Sequence, residues 1–494
     1  MKESHQSKLL KKALLPVLIG FFCLNLAWKL SLAASYAPDL GGFERNVIWG
    51  IQRIMDGSAL YSNPDAVPFS MIQYMPLYYY LTAFAGTLLG IAPEDAHSVY
   101  QLARTLNLLL GFSLSGLVFF MLRFRFQCKP ETAVGFALLV FLMLPAFTIS
   151  GRPDTLKTWF FILQLALLGH YSEIRLRYLI PLSLGLSFLC FMSKQDGITA
   201  FGLLPLAFLM GREWRNILVY MFLAGVFLFL VLGVGNHLLK GVFFSNVFGA
   251  LQNGISFSWF KSVFLNFFGQ HALLFAPALV LSLEFAREKS RLFRMLAAGF
   301  LLALFPPLAA ALKFGSGPNY FLEAQIISCL LIAIAFRASP GKLIFRFAGS
   351  RPLLWLVLLL LWFSVPSLEW VSGIFLNQEK QLALHYQKDK IIAENLRSSY
   401  PENDFMLLNG RQWEDQLSTQ LWDRLINPNR DVSEQVFRGS GGAALASLRK
   451  FIAQKDKTVL ITTAGEKPVF EGLDFSGYRE DRKFGSYQTW VKNP

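Results

Sequence analysis

The sequence predicts an α-helical polytopic membrane protein that ends in a small soluble α/β domain. Three observations predict it. The 494 residues are 54% hydrophobic, with 48 Phe and only 16% charged, and the mean hydropathy is +0.43. Several runs of about 20 apolar residues are each long enough to cross a hydrocarbon core of about 30 Å. Beyond residue 371 that character fades, and helix-like stretches alternate with strand-like ones. The expected division is a membrane domain over 1–371 and a soluble domain over 372–494.

The net charge of +14 could point to nucleic acid. The basic residues, however, sit in short loops between apolar runs, which is the pattern of topology-setting charge. A nucleic-acid partner is therefore discounted. Cys23, Cys128, Cys190 and Cys329 are scattered and form no CxxC pair, so neither a disulfide framework nor a zinc site is indicated. The first run, after Lys8, Lys11 and Lys12, lacks a clear small-residue cleavage site and reads as an uncleaved span.

Hydropathy marks twelve apolar stretches from 13–33 to 352–371. The basic loops are 1–12, 123–129, 172–177, 211–216, 285–294 and 337–351, and all six should be cytoplasmic. They fall on one side only if 69–91 does not cross. That segment carries QYMPLYYYLTAF, with Pro76 and four tyrosines suited to the membrane–water boundary. Eleven spans are expected, with the N-terminus inside and the C-terminus outside. The outer face then receives a long first loop (34–98), SGRPDT (150–155), MSKQDG (192–197), loop 236–262 and LKFGSGPNYFLE (312–323). In the tail, 379–398 and 442–454 read as helices and 405–409, 458–463 and 487–491 as strands.

The first loop opens with SYAPDLGGFER. Gly41-Gly42 breaks the chain, after which Phe43, Val47, Ile51 and Ile54 recur at helical spacing. Glu44, Arg45, Gln52 and Arg53 take the other side, as in a helix lying in the interface plane. Gly57 ends it, and a second interfacial helix is expected over roughly 75–90. Asp39 is thus held on an irregular stretch between a span and a surface helix. A solvated or helix-capping role for it is the plain alternative. Against that, Asp154, Lys194, Asp196, Asn319, Tyr320 and Glu323 fall on the same expected face, and charged groups this close to hydrocarbon tend to mark function.

These elements resemble the GT-C superfamily of polytopic glycosyltransferases, in particular the branch with protein O-mannosyltransferases and the lipid A aminoarabinose transferase. The matching residues are Asp39 before an amphipathic helix, G-x-x-L-Y at 57–61, Tyr74-Met75-Pro76-Leu77, RPD at 152–154, K-Q-D-G at 194–197 and GSGPNYFLE at 315–323. The likeness covers about residues 10–340. It implies a GT-C-like fold, a polyprenyl-phosphate-linked sugar as donor, the bacterial inner membrane as location, and the first-loop acid Asp39 as catalytic base. The sequence departs from the family twice. Leu40 stands where a second acid often follows, and Met75 stands where the aminoarabinose transferase has Lys.

For such a transfer the phosphate leaving group needs cations or hydrogen-bond donors, and the acceptor hydroxyl needs a carboxylate. One base on the far side of the sugar implies inversion. Arg152 and Lys194 are the candidates for the phosphate. Asp154 either orients Arg152 or touches the acceptor. Glu44, Arg45, Tyr74, Tyr78, Asp196, Lys313, Asn319, Tyr320 and Glu323 are further candidate substrate contacts. Each has a plain alternative: Arg152–Asp154 a local turn contact, Lys194 a partner of Asp196, Lys313 a snorkelling anchor, Tyr74 and Tyr78 members of the interfacial belt. Divalent Mg or Mn stays open, with Asp39 and Asp154 a thin ligand set. His237 and His271 lie near the expected outer face without ligand spacing. The acceptor can be a glycan, a lipid or a protein. The rival readings are a transporter or flippase of lipid-linked sugars, and a scaffold without chemistry.

Overall fold

The computed structural model describes every residue except 1–4, 144, 172, 250–253, 289, 339–351, 409–415, 429–442, 455–457, 471–472 and 494. Most of the expected basic loop 337–351 lies outside the described residues. Two compact units interleave along the chain. One comprises Met1–Ala34, Thr105–Phe227 and Gly254–Ser372, and the other Ser35–Arg104, Leu228–Asn253 and Gly373–Pro494.

The first unit is helical. Among the described residues, six helices of the chain are long and apolar enough to cross a membrane, or seven if the pair Phe257–Gln270 and Ala272–Ala286, bent by 80°, counts as one span. This is an integral membrane protein. Of the eleven expected spans, three are short in the structure, and the side chains of 352–371 lie mostly outside the described residues. Pro130–Leu142 has 13 residues, Asp154–Gly169 has 16, and 197–210 folds as a 3-10 turn, Gln195–Gly202, running into Leu203–Met210.

Polar side chains join these helices where no water competes. Gln164 donates through Nε2 to the Ser183 and Ser187 hydroxyls, at 2.8 and 2.9 Å, tying Asp154–Gly169 to Leu176–Ser193. The 80° bend has a local cause as well. The Phe267 carbonyl keeps its helical partner, the His271 N–H at 3.0 Å, with His271 Nδ1 also 2.8 Å from it, and Trp362 Nε1 donates to the Gln270 carbonyl at 2.6 Å, so the last carbonyls before the break have partners. His271 is thereby a buried hinge residue.

The second unit combines the first loop with the chain's end. Helices form at Glu44–Met55 and Leu77–Leu88, close to both expected interfacial helices. The apolar stripe is as expected at Val47 and Ile51, which are fully buried. Glu44 and Gln52, expected on a polar side, are fully buried too. Each has a partner that sequence spacing does not show. Gln52 donates to the Pro93 carbonyl at 2.8 Å, and Glu44 pairs with Arg104.

The four-stranded sheet has the order β1-β2-β4-β3, with β1 Asp404–Leu407, β2 Thr458–Thr463, β3 Tyr478–Phe484 and β4 Tyr487–Lys492. β1 and β2 run parallel; the other pairs are antiparallel. One face of the sheet shares a core with the first loop, in which Phe69 and Met71 pack with Met406, Leu408 and Leu460. Helix Pro352–Ser399 runs 48 residues without a break, so the expected boundary at 371–372 lies inside a single helix.

Candidate active site

The expected site residues fall in both units, and each group is described by itself.

In the first unit, SGRPDT opens the helix Asp154–Gly169, and Asp154 is its first residue. A carboxylate there complements the helix dipole. Asp154 is completely buried. Its Oδ1 accepts from Lys194 Nζ at 2.7 Å and from Asn319 Nδ2 at 2.6 Å, while Oδ2 lies 3.2 Å from Arg152 Nε. Three segments distant in sequence, SGRPDT, MSKQDG and GSGPNYFLE, therefore meet on one carboxylate.

A second centre adjoins it. Lys157, one turn into the same helix, sits 3.0 Å from Asp196 Oδ2 and 2.8 Å from Glu323 Oε1. Thr158 donates to the same Glu323 oxygen at 2.7 Å. Lys194 bridges the two centres, 3.7 Å from Asp196, with its ammonium 4.6 Å from the Tyr320 ring centroid. The carboxylates of Asp154, Asp196 and Glu323 thus face Arg152, Lys157 and Lys194. Every acid here is matched by a cation, and that donor set does not fit a divalent metal. Among the described residues no group of three or more His, Cys, Asp or Glu could hold one.

Glycine makes two of these turns possible. A Cβ on Gly197 would lie 2.3 Å from the Cys190 carbonyl oxygen, so only glycine fits the K-Q-D-G turn. A Cβ on Gly317 would lie 2.7 Å from Asn319 Oδ1, disturbing the amide that faces Asp154. The loop before it carries Lys313, whose ammonium burial pushes down to about 8, with the positive charge of Lys194 adding to the shift.

Lys157 and Asn107 were not among the residues singled out from sequence. Asn107 donates to the Ser150 and Arg152 carbonyls and so shapes the SGRPDT turn. The signal for Lys157 was present: a lone lysine one turn inside an apolar run.

In the second unit, Asp39 is partly exposed and sits on the irregular stretch between two helices, as expected. Its Oδ1 accepts the Gly41 N–H at 3.1 Å and its Oδ2 accepts the Glu44 N–H at 3.2 Å. The helix-capping alternative is therefore realised in part. Phe43, between these amides, has φ 60 and ψ 9, a left-handed conformation that costs a non-glycine residue about 1–2 kcal/mol. Its ring packs against the Phe69–Met71 core, which holds the strained backbone in place.

The other expected contacts are placed as follows. Glu44 is fully buried against Arg104, and Arg45 beside it is partly exposed. Tyr78 is fully buried, and its hydroxyl donates to the Ala103 carbonyl at 3.0 Å. Tyr74 is buried and its carbonyl accepts from Tyr61. Neither faces outward in this unit; Tyr80 does, at 51% exposed. His237 is exposed.

The fold defines the class: a polytopic helical membrane chain with a small terminal sheet. No family model and no curated protein matches the sequence. Among solved structures, the chain is similar to ArnT from Cupriavidus metallidurans in two crystal structures. The apo structure gives a TM-score of 0.58 at 14% identity, covering 97% of this chain and 98% of that one. The structure bound to undecaprenyl phosphate gives 0.56 at 14% identity, covering 96% and 97%.

Proposed function

We propose that this chain is a membrane glycosyltransferase that moves a sugar from a polyprenyl-phosphate carrier to an acceptor hydroxyl on the extracytoplasmic face. The fold likeness supports the class, and one of the similar ArnT structures binds undecaprenyl phosphate. The observation that carries the assignment of roles is the contrast between the two expected acids. Asp154 is buried, with Lys194 and Asn319 on one oxygen and Arg152 beside the other, so it serves as the counter-charge of the cations around it. Asp39 is partly exposed, on an irregular stretch where its carboxylate accepts the Gly41 and Glu44 N–H groups, so a substrate hydroxyl can approach it from solvent.

Asp39 is the base in this reading. It takes the proton of the acceptor hydroxyl as that oxygen bonds to the anomeric carbon. The carbon–oxygen bond to phosphate breaks on the opposite side, and the leaving polyprenyl phosphate keeps the electron pair, so configuration inverts. Lys194, Arg152 and Lys157 supply positive charge for the phosphate, and Asp154 orients the first two. The soluble segment 372–494 contributes acceptor recognition. The chain lies in the bacterial inner membrane with its N-terminus cytoplasmic.

The test is turnover of purified protein in lipid nanodiscs with a panel of undecaprenyl-phosphate-linked sugars, read as release of undecaprenyl phosphate. Asp39→Asn should lose about 10²–10⁴-fold in rate while still binding undecaprenyl phosphate. A chain that moves these lipids between leaflets, releases nothing and ignores Asp39→Asn is a transporter.

A further inference from the structure

We propose that Glu44 and Arg104 are positioning residues that hold the aim of Asp39; this rests on Asp39 being the base. Arg104 and Glu44 are both fully buried. The guanidinium engages the carboxylate through two bonds, Nε to Oε1 at 2.8 Å and Nη2 to Oε2 at 2.9 Å. Its remaining donors go to the stretch on the other side of Asp39: Nη1 to the Ser35 carbonyl at 2.9 Å and the Ser35 hydroxyl at 3.3 Å, and Nη2 to the Ala37 carbonyl at 2.7 Å. Glu44 Oε2 also accepts the Leu40 N–H at 2.9 Å. One side-chain pair therefore fastens residues 35, 37, 40 and 44, which bracket Asp39 on both sides.

The coupling to Asp39 is reciprocal. Its carboxylate takes the Glu44 N–H, while the Glu44 carboxylate takes the Leu40 N–H. This is the logic of a capping box, with each carboxylate satisfying an amide near the other. The shape of the donor matters. A planar guanidinium serves a carboxylate and two carbonyls at once; an ammonium has three donors and no fixed fork. A buried ion pair kept for stability alone is replaceable by apolar side chains. One kept for geometry is not, because a displacement of about 1 Å at a reacting group costs about 10²-fold in rate.

The experiment uses the full chain in nanodiscs with the same panel of undecaprenyl-phosphate-linked sugars. Arg104→Lys keeps the charge and removes the fork, and Glu44→Asp keeps the charge and retracts the carboxylate by one methylene. Each should lower kcat 10- to 100-fold with KM and undecaprenyl phosphate affinity within about threefold. The acid limb of the kcat–pH profile should move, and amide exchange at 40–44 should rise. If Arg104→Lys does not fold, Glu44→Asp carries the same comparison. Folded variants with wild-type kcat and pH profile, alongside an inactive Asp39→Asn, overturn the brace alone. Equal losses in kcat and undecaprenyl phosphate affinity also overturn it. A fully active Asp39→Asn overturns the base assignment, which is a distinguishable result.

Discussion

Asn319 Nδ2 and Asp154 Oδ1 lie 2.6 Å apart across 165 residues of sequence. The bond ties the turn before one helix to the first residue of another, and Lys194 Nζ shares the same oxygen at 2.7 Å. Asp154 is thus the common counter-charge of a buried cluster.

Removing that charge should be costly. Asp154→Asn keeps the shape but leaves Lys194 and Arg152 buried beside a neutral amide. Breaking a buried pair in this way destabilises by about 3–5 kcal/mol. Asn319→Ala removes only a hydrogen bond to a charged acceptor, about 1.5–3 kcal/mol. Thermal unfolding in detergent should rank the two variants in that order, and equal melting temperatures would contradict the arrangement.

Lys313 gives a pH dependence of known sign. Its ammonium, at about 8 in the folded chain against 10.5 unperturbed, is protonated below that pH and can then attract an anion. Affinity for undecaprenyl phosphate should fall as pH rises from 7 to 9.5. Folding stability should move the other way. Between about 8 and 10.5 the unfolded chain binds more protons than the folded one, so stability rises with pH. Lys313→Arg, charged throughout, should flatten the binding profile; an unchanged profile would remove Lys313 from the phosphate's surroundings.

How much of this was legible in the sequence depended on the range of each interaction. Both helices of the first loop were readable because their stops are local: Gly41-Gly42 and Gly57 around one, Pro76 before the other. The burial of Glu44 was not, since its reason is Arg104, 60 residues away. K-Q-D-G and GSGPNYFLE were legible as motifs, but not their convergence on Asp154, which only the packing of helices brings about. β1, β2 and β4 announce themselves through apolar and β-branched runs. β3, YREDRKF, is an exposed edge strand whose charged residues blunt pairing and hide the pattern.

Gly197→Ala should act through the backbone. The added methyl would meet the Cys190 carbonyl oxygen at 2.3 Å, and neither atom can swing away as a side-chain tip could. The turn must shift, carrying Lys194 and Asp196 with it. Overpacking of this kind costs about 1–3 kcal/mol. A lower melting temperature together with weaker undecaprenyl phosphate binding is expected. A variant with both unchanged would show that the turn does not set the place of Lys194.

Lys157 offers a test of the cluster as a network. Lys157→Met strands the carboxylates of Glu323 and Asp196, which lie 2.8 and 3.0 Å from its ammonium. Glu323→Met removes one acid, leaving Lys157 with Asp196 and Thr158 without its acceptor. Each single variant should unfold at lower temperature. The double variant should recover part of the loss, because Glu323 is removed together with its cation and only Asp196, still 3.7 Å from Lys194, is left without Lys157. Coupling between residues in one ion-pair network is about 0.5–3 kcal/mol. Additive losses across the cycle would show that the two side chains do not act on each other. Undecaprenyl phosphate affinity separates packing from function in the same variants: if Lys157 supplies positive charge to the phosphate, the double variant regains stability and still binds the lipid weakly.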